Sequence, residues 1–236
     1  MDEALRGKLS RWASQYHTAD FISVDPIRFP HRYDLPDDIE ISGLLTAVMS
    51  FGNRTQILRK ADCLDGMMKH APLQYVLSGT WRDDFRPGDT GSFYRMLSYA
   101  AMRAFFEKLY AVYSEGLTLE DVLMTYPGNP MQKLCAFLGV SDRSPQKKLN
   151  MFLRWMIRRQ SPVDFGIWQR MSPADLIIPL DTHVCRVAHG LGLTDAAVYS
   201  LANARKITKA LAEVFPRDPC LGDYALFGYG VNHKDV

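Results

Sequence analysis

The chain has 236 residues, enough for one or two domains with a sizeable core. Hydrophobic residues make up 47% of the sequence and charged residues 23%, which is ordinary for a globular protein. No run of 18 apolar residues is present, so the sequence predicts no membrane span. Residues 1–6 lack the apolar core of a signal peptide, and we expect a cytoplasmic protein.

The charge of the chain is small but unevenly distributed. The net charge of +2 does not by itself indicate a nucleic-acid partner. Residues 131–170 hold eight basic and two acidic side chains, a net charge of +6, so the remainder carries −4. The basic residues are Lys133, Arg143, Lys147, Lys148, Arg154, Arg158, Arg159 and Arg170. Such a basic block is typical of a nucleic-acid-facing surface, and a solvated helix face is the equally weighted alternative.

The cysteines and histidines predict no metal site. Four widely spaced cysteines form no CxxC or zinc pattern, as expected of isolated thiols in a reducing compartment: Cys63, Cys135, Cys185 and Cys220. His183 and His189 flank Cys185 but do not converge with it on one helix face. The sequence also lacks a P-loop and a dinucleotide-binding glycine motif, so we expect no cofactor.

The spacing of apolar residues predicts an all-α chain, without strand alternation of useful length. Helices are expected over residues 2–17, 37–51, 56–70, 93–115, 131–139, 182–190, 200–214 and 222–231, with irregular chain over 20–37 and a short helix and loop over 73–92. We expect one compact unit of two lobes with a cleft between them. The middle lobe would span about residues 38–140, and the N-terminal segment would join about 141–236 in the second.

A further helix is predicted to start at Pro145, with Ser144 as its N-cap. Its apolar stripe consists of Leu149, Phe152, Leu153, Met156 and Ile157. Lys147, Arg154 and Arg158 lie on the opposite side. Lys147 falls in the first turn, where the unpaired backbone N–H groups lower the cost of losing its proton. A plain surface lysine is the alternative, and Lys148 is the rival one residue on.

Asp181 follows a buried approach of four apolar residues and a proline, residues 176–180. It is a strong N-cap for the helix that begins at Thr182. A carboxylate at the positive end of a helix is favoured as the anion. An ordinary helix cap would have the same pattern.

These segments resemble the helix-hairpin-helix DNA glycosylase superfamily. Residues 179–183 read Pro-Leu-Asp-Thr-His, similar to the segment that carries the catalytic aspartate there. Residues 138–141 read Leu-Gly-Val-Ser and resemble the start of the hairpin, and residues 147–154 are similar to the lysine helix. The hairpin lacks its second glycine, and Gly139 precedes Lys147 by eight residues, so we expect an enlarged hairpin. The likeness spans about residues 20–232. It is strongest to a bacterial family of conserved hypothetical proteins and extends to the archaeal 8-oxoguanine glycosylase branch.

The resemblance implies the two-lobed helical fold of these glycosylases and a base-excision-repair activity. Lys147 would attack C1′ of a damaged nucleotide flipped from the duplex, and Asp181 would stabilise the positive charge that develops on the sugar. The resulting Schiff base permits strand cleavage, so the expected enzyme is a bifunctional DNA glycosylase and AP lyase. Its first-guess lesion is 8-oxoguanine. The partner would be damaged double-stranded DNA, and the protein would bind it as a monomer. We expect a bacterial cytoplasmic protein that associates with the nucleoid.

The resemblance also implies a base pocket formed by Asp223, Phe227, Met151 and Trp155, although for the last two a place in the core is the favoured explanation. DNA-contacting residues are expected to be Asn53, Arg54, Arg143, Lys148, Arg154 and Arg158. The break at 52–54 would fill the gap left by the flipped base, or simply join two helices. Two other functions remain open: a non-catalytic DNA-binding protein that retains the fold, and a helical protein without a nucleic-acid role.

Overall fold

The computed structural model describes residues 1–232, with side chains through Gly230. Within this part of the chain, the backbone forms thirteen α-helices and one two-stranded hairpin, so the all-α class is confirmed. Among the described helices, none combines the length and apolar character needed to cross a membrane.

The elements follow one another in this order: α1 (Glu3–Tyr16), α2 (Asp20–Val24), α3 (Pro36–Met49), α4 (Arg54–Met67), α5 (Pro72–Ser78), α6 (Trp81–Asp84), β1 (Ser92–Tyr94), β2 (Leu97–Ser98), α7 (Tyr99–Tyr113), α8 (Leu119–Leu123), α9 (Pro130–Leu138), α10 (Lys147–Ile157), α11 (Thr182–Gly190), α12 (Leu201–Ala212) and α13 (Leu221–Asn232). Three short 3-10 turns lie at Pro26–Arg28, Pro30–Arg32 and Pro173–Asp175.

The chain divides into two compact units. One unit is the continuous segment Val24–Tyr126, where we had placed a middle lobe at about 38–140. The other combines Met1–Ser23 with the chain from Pro127 onward, so α9 belongs to the unit that also holds α10 to α13. Residues 233–236 of the predicted second lobe lie outside the described residues.

The helix α13 is the centre of the discontinuous unit. Apart from Asp223 in its first turn, the helix carries apolar and aromatic residues around its described length, as expected of a helix that other helices surround. It packs against α1 and α11, and the rings of Trp12 and Tyr229 stack with centroids 4.0 Å apart. A Cβ at Gly228 would lie 2.2 Å from the Tyr16 ring, and one at Gly230 would lie 2.8 Å from Val187. Glycine therefore permits the close approach of both neighbouring helices.

The helix α10 begins two residues later than predicted. Gln146 adopts a left-handed conformation with φ +45°, so the chain reverses after Pro145 and neither Ser144 nor Pro145 is helical. The side-chain amide of Asn150 donates to the Pro145 carbonyl at 2.8 Å and stabilises this turn. Lys147 is therefore the first residue of α10.

The predicted helix over 93–115 is wrong at its start. Residues 92–98 form the β1/β2 hairpin, with Arg95 in the left-handed region at φ +53°. The Ser98 hydroxyl then accepts from the Ala101 N–H at 3.1 Å and caps α7. A residue in the left-handed region and a new N-cap three residues later are incompatible with one continuous helix through residues 93–98.

Two glycines share a left-handed backbone conformation but differ in their surroundings. Replacing each of them by alanine tests how closely the chain packs against the end of α10. Gly166 (φ +59°) would place a Cβ 2.6 Å from the Arg158 carbonyl oxygen, whereas Gly192 (φ +71°) has no atom within 4 Å. We expect Gly192→Ala to lower the free energy of unfolding by about 1–2 kcal/mol, the left-handed penalty alone. Gly166→Ala should exceed that loss by at least about 1 kcal/mol, because backbone atoms cannot move aside as a flexible side chain does. Urea unfolding followed by tryptophan fluorescence measures both; equal losses would contradict the described packing.

Candidate functional site

The structure brings Lys147 and Asp181 together. The Nζ atom of Lys147 lies 3.2 Å from Oδ2 of Asp181, with side chains 33% and 17% exposed. Lys147 is the first residue of α10, and Asp181 is the N-cap of α11. The Lys147/Asp181 pair therefore lies at two helix N-termini and is reachable from solvent.

The position of Asp181 follows from the chain on both sides of it. Residues 176–180 are buried, and the Ile178 N–H donates to the Thr208 hydroxyl of α12 at 3.0 Å. Beyond Asp181, the Val184 N–H donates to Oδ1 at 2.8 Å. One carboxylate oxygen thus caps α11, which leaves Oδ2 for the lysine.

The N-terminus of α10 is completed by Tyr199, which the sequence did not single out. Gln146 makes no side-chain cap. Burial raises the pKa of the Tyr199 hydroxyl, a hydrogen bond from the backbone of Lys147 lowers it, and the charge of Asp181 raises it. The hydroxyl thus lies beside the Lys147/Asp181 pair, while the residue as a whole is 51% exposed. Its contact is 52 positions away along the chain, so no local spacing could reveal it.

Lys148 remains a chemical rival to Lys147. It is half-buried, and burial lowers the pKa of its amine. A neutral amine is what a lysine nucleophile requires. The observation that favours Lys147 is its contact with Asp181.

The residues between α9 and α10 form the enlarged connection that the missing glycine predicted. Gly139 ends α9 in the left-handed conformation at φ +73°, and the Val140 N–H donates to the Cys135 carbonyl at 3.0 Å. Eight residues, 139–146, join the two helices. Arg143 lies in this connection and is exposed.

The other predicted DNA contacts on exposed chain belong to the Val24–Tyr126 unit. Asn53 caps α4, accepting from the Gln56 N–H at 3.3 Å, and Arg54 is the first residue of that helix. Both residues are exposed. Their positions are compatible with a helix–helix turn and with a surface contact alike.

Arg154 and Arg158 require a correction. We predicted that they face DNA, but they are only 4% and 1% exposed. Arg154 pairs with Asp164 and Asp223, while Arg158 pairs with Asp164 and Asp218. Buried guanidinium groups need such partners because desolvation of an unpaired charge is prohibitive. Two of the eight cations in the basic block are therefore neutralised inside the protein.

The four predicted pocket residues have different environments. Met151 and Trp155 are 8% and 0% exposed, which favours the alternative that they are core residues. Phe227 is half-buried, with its ring edge-on to Phe21 at 5.9 Å. Asp223 is 5% exposed and engaged by Arg154, so its carboxylate is already bound.

The Asp223 carboxylate is electrostatically connected to the Lys147/Asp181 pair. Burial raises its pKa to about 6, and the Arg154 charge opposes that rise. The charge of Asp181 adds to the rise and that of Lys147 reduces it. Asp223 therefore interacts electrostatically with both members of the pair.

The family model of DUF2400 matches residues 25–138 and 128–232. The chain belongs to the DUF2400 family. That family is described as proteins of unknown function. No curated protein and no solved structure matches the chain. In the described part of this DUF2400 chain, no three or more His, Cys, Asp or Glu residues are grouped so as to hold a metal ion.

The buried ion pairs of the DUF2400 chain extend to a histidine of the N-terminal segment. The Tyr224 hydroxyl donates to Asp164 at 2.9 Å, and Ser161 Oγ lies 3.3 Å from the same carboxylate. His17 Nε2 lies 2.7 Å from Ser161 Oγ, and its ring contacts Tyr224 at 4.5 Å. Burial, reinforced by the Arg158 charge, lowers the pKa of His17 to about 4.

This pKa predicts a pH-dependent contribution of His17 to stability. The folded state favours the neutral ring of His17. The stabilisation that this ring provides is therefore complete above the pKa of about 6.5 in the unfolded state, and it is lost as the pH falls towards 4. His17→Phe keeps the ring against Tyr224 but cannot titrate. We expect it to be less stable than the wild type at about pH 7.5, with a smaller difference at about pH 5. Urea unfolding at both pH values measures this, and a constant difference would contradict it.

Proposed function

We propose that this DUF2400 protein is a DNA glycosylase with AP lyase activity, in which Lys147 is the nucleophile and Asp181 its charged partner. The observation that carries the proposal is the 3.2 Å approach of a solvent-accessible amine to a carboxylate at two adjoining helix N-termini. The sequence resemblance selected the same two residues independently of any distance. The proposed substrate is double-stranded DNA with a damaged base, 8-oxoguanine being the first to test.

The chemistry requires a neutral amine and a stabilised cationic sugar. After losing a proton, Lys147 Nζ would form a bond to C1′ while the bond from C1′ to the base breaks and its electron pair leaves with the base, which is then protonated. Opening of the sugar ring would give a Schiff base. Loss of a proton from C2′ would then expel the 3′ phosphate and cleave the strand. The base must leave the helical stack before the amine can reach C1′.

Asp181 has two roles in this proposal. Its Oδ2 atom is close enough to Nζ to accept the ammonium proton directly or through one water. Its negative charge also faces the position where positive charge develops on the sugar, the kind of electrostatic stabilisation that usually dominates. Capping through Oδ1 holds the carboxylate in place for both roles.

The alternative is a non-catalytic DNA-binding protein that retains the fold. It has no need for an accessible lysine against a carboxylate. The pair therefore favours the enzyme over the binding module.

Borohydride trapping tests the nucleophile. The protein is incubated with duplexes that contain 8-oxoguanine, uracil or an oxidised pyrimidine, and borohydride then reduces any Schiff base to a stable adduct. We expect a covalent adduct from the wild type and from Lys148→Gln, and none from Lys147→Gln. Lys148→Gln is the matched control, because the two lysines are neighbours in the first turn of α10. Trapping by Lys147→Gln would show that the assigned lysine is wrong, and failure with every lesion would reject the enzyme.

Two substitutions at Asp181 separate capping from charge. Asparagine caps a helix about as well as aspartate, so Asp181→Asn should leave the free energy of unfolding within about 0.5 kcal/mol of the wild type. Asp181→Ala should lose about 1 kcal/mol. Both should slow base release at least about 100-fold in single-turnover assays, because both remove the charge. Activity retained by Asp181→Asn would leave Asp181 as an ordinary cap.

A further inference from the structure

The loop that precedes α12 is fixed by one buried side chain. The Asn203 amide donates to the carbonyls of Ala196 at 3.1 Å and Val198 at 2.8 Å. Its oxygen accepts from the Thr194 hydroxyl, and its own N–H donates to Ser200 Oγ at 3.2 Å. Asn203 is only 7% exposed. The residues between 194 and 200 are therefore tied together by a satisfied polar centre.

The same centre attaches this loop to the helix that Asp181 caps. The Asn203 amide lies 3.3 Å from Sγ of Cys185, a buried residue of α11. At the other end of α11, His189 Nδ1 lies 3.1 Å from the Thr194 carbonyl oxygen. The loop and Asp181 are thus positioned by one helix.

Tyr199 projects from this loop to the Lys147/Asp181 pair. A hydrogen bond from the backbone of Lys147 reaches its hydroxyl. At the other end, the carbonyl of the preceding Val198 accepts from the Asn203 amide at 2.8 Å. Half of the residue nevertheless remains exposed, and so does the neighbouring Val198 at 54%. A hydroxyl from a small side chain would satisfy the same N–H group. Capping therefore accounts for the oxygen atom of Tyr199 but not for a rigid aromatic face left in solvent beside the pair.

We propose that the exposed ring of Tyr199 stacks on a nucleobase next to the damaged nucleotide when that nucleotide reaches the Lys147/Asp181 pair. The inference rests on the proposed function and adds a substrate-binding residue to it. Every base has a π-face, so stacking on an aromatic ring provides affinity without sequence preference. A ring restrained in advance loses little conformational freedom when the base arrives.

The test is equilibrium binding of a fluorescent duplex that carries a tetrahydrofuran abasic-site analogue, measured by anisotropy. This probe has no base to excise and forms no Schiff base, so binding is independent of the nucleophile. We expect Tyr199→Phe, which keeps the ring, to bind within about twofold of the wild type. Tyr199→Leu should raise Kd by at least about fivefold. Val198→Ser is the matched control on the same loop and should bind as the wild type does.

The outcomes separate this inference from the proposed function. If the wild type gives a borohydride adduct but Tyr199→Leu binds DNA normally, the stacking role is overturned and the enzyme stands. If Tyr199→Phe loses as much affinity as Tyr199→Leu, the hydroxyl rather than the ring matters, and stacking is again overturned. Selective loss in Tyr199→Leu supports stacking even where no lesion gives an adduct. A wild type that does not bind the duplex overturns both proposals.

Discussion

The position of α10 depends on buried charge. Lys147, Arg154 and Arg158 are seven and four residues apart, which places them along one face of the helix. Each of them meets an aspartate: Asp181 for the lysine, and Asp164, Asp218 and Asp223 for the two arginines. A buried guanidinium group that loses its partner leaves an uncompensated charge, so the rotation of α10 about its axis is strongly fixed. The face on which Lys147 emerges is fixed with it.

The burial of these cations changes along the helix, and their chemistry changes with it. The arginines lie at the interior end, where a group that never loses its proton is suited to permanent ion pairing. The lysine lies at the accessible end, where its side chain is 33% exposed and meets the carboxylate of Asp181. Asp223 joins the two ends, since it binds Arg154 and also lies within the field of Lys147 and Asp181. The interior pairs thus position the accessible pair, and only the latter can meet a substrate.

Features that depend on neighbouring residues in the chain were predicted from the sequence. Features that depend on contacts between residues far apart in the chain were not. The apolar stripe of α10 and the cap at Asp181 are local patterns, and both are present in the structure. The exposure of Arg154 and Arg158 was misjudged because a basic face opposite an apolar stripe normally faces water. Their partners lie up to 69 residues away along the chain, and no periodicity reports such contacts. The left-handed residues Arg95 and Gln146 were missed because neither residue type signals that conformation.

The N-termini of α10 and α11 adjoin at the Lys147/Asp181 pair, and the two termini are capped in different ways. The α11 terminus has a strong cap in its own sequence, and the second oxygen of that cap reaches the first side chain of α10. The α10 terminus has no side-chain cap of its own and receives a hydroxyl from Tyr199. The Asp181 carboxylate thereby lies at the N-terminus of α11 and beside the first residue of α10. An anion held in this way stabilises a cation that forms beside it, and the lysine supplies a nucleophile within 3.2 Å of that anion. Helix capping thus leads directly to the chemistry proposed for the site.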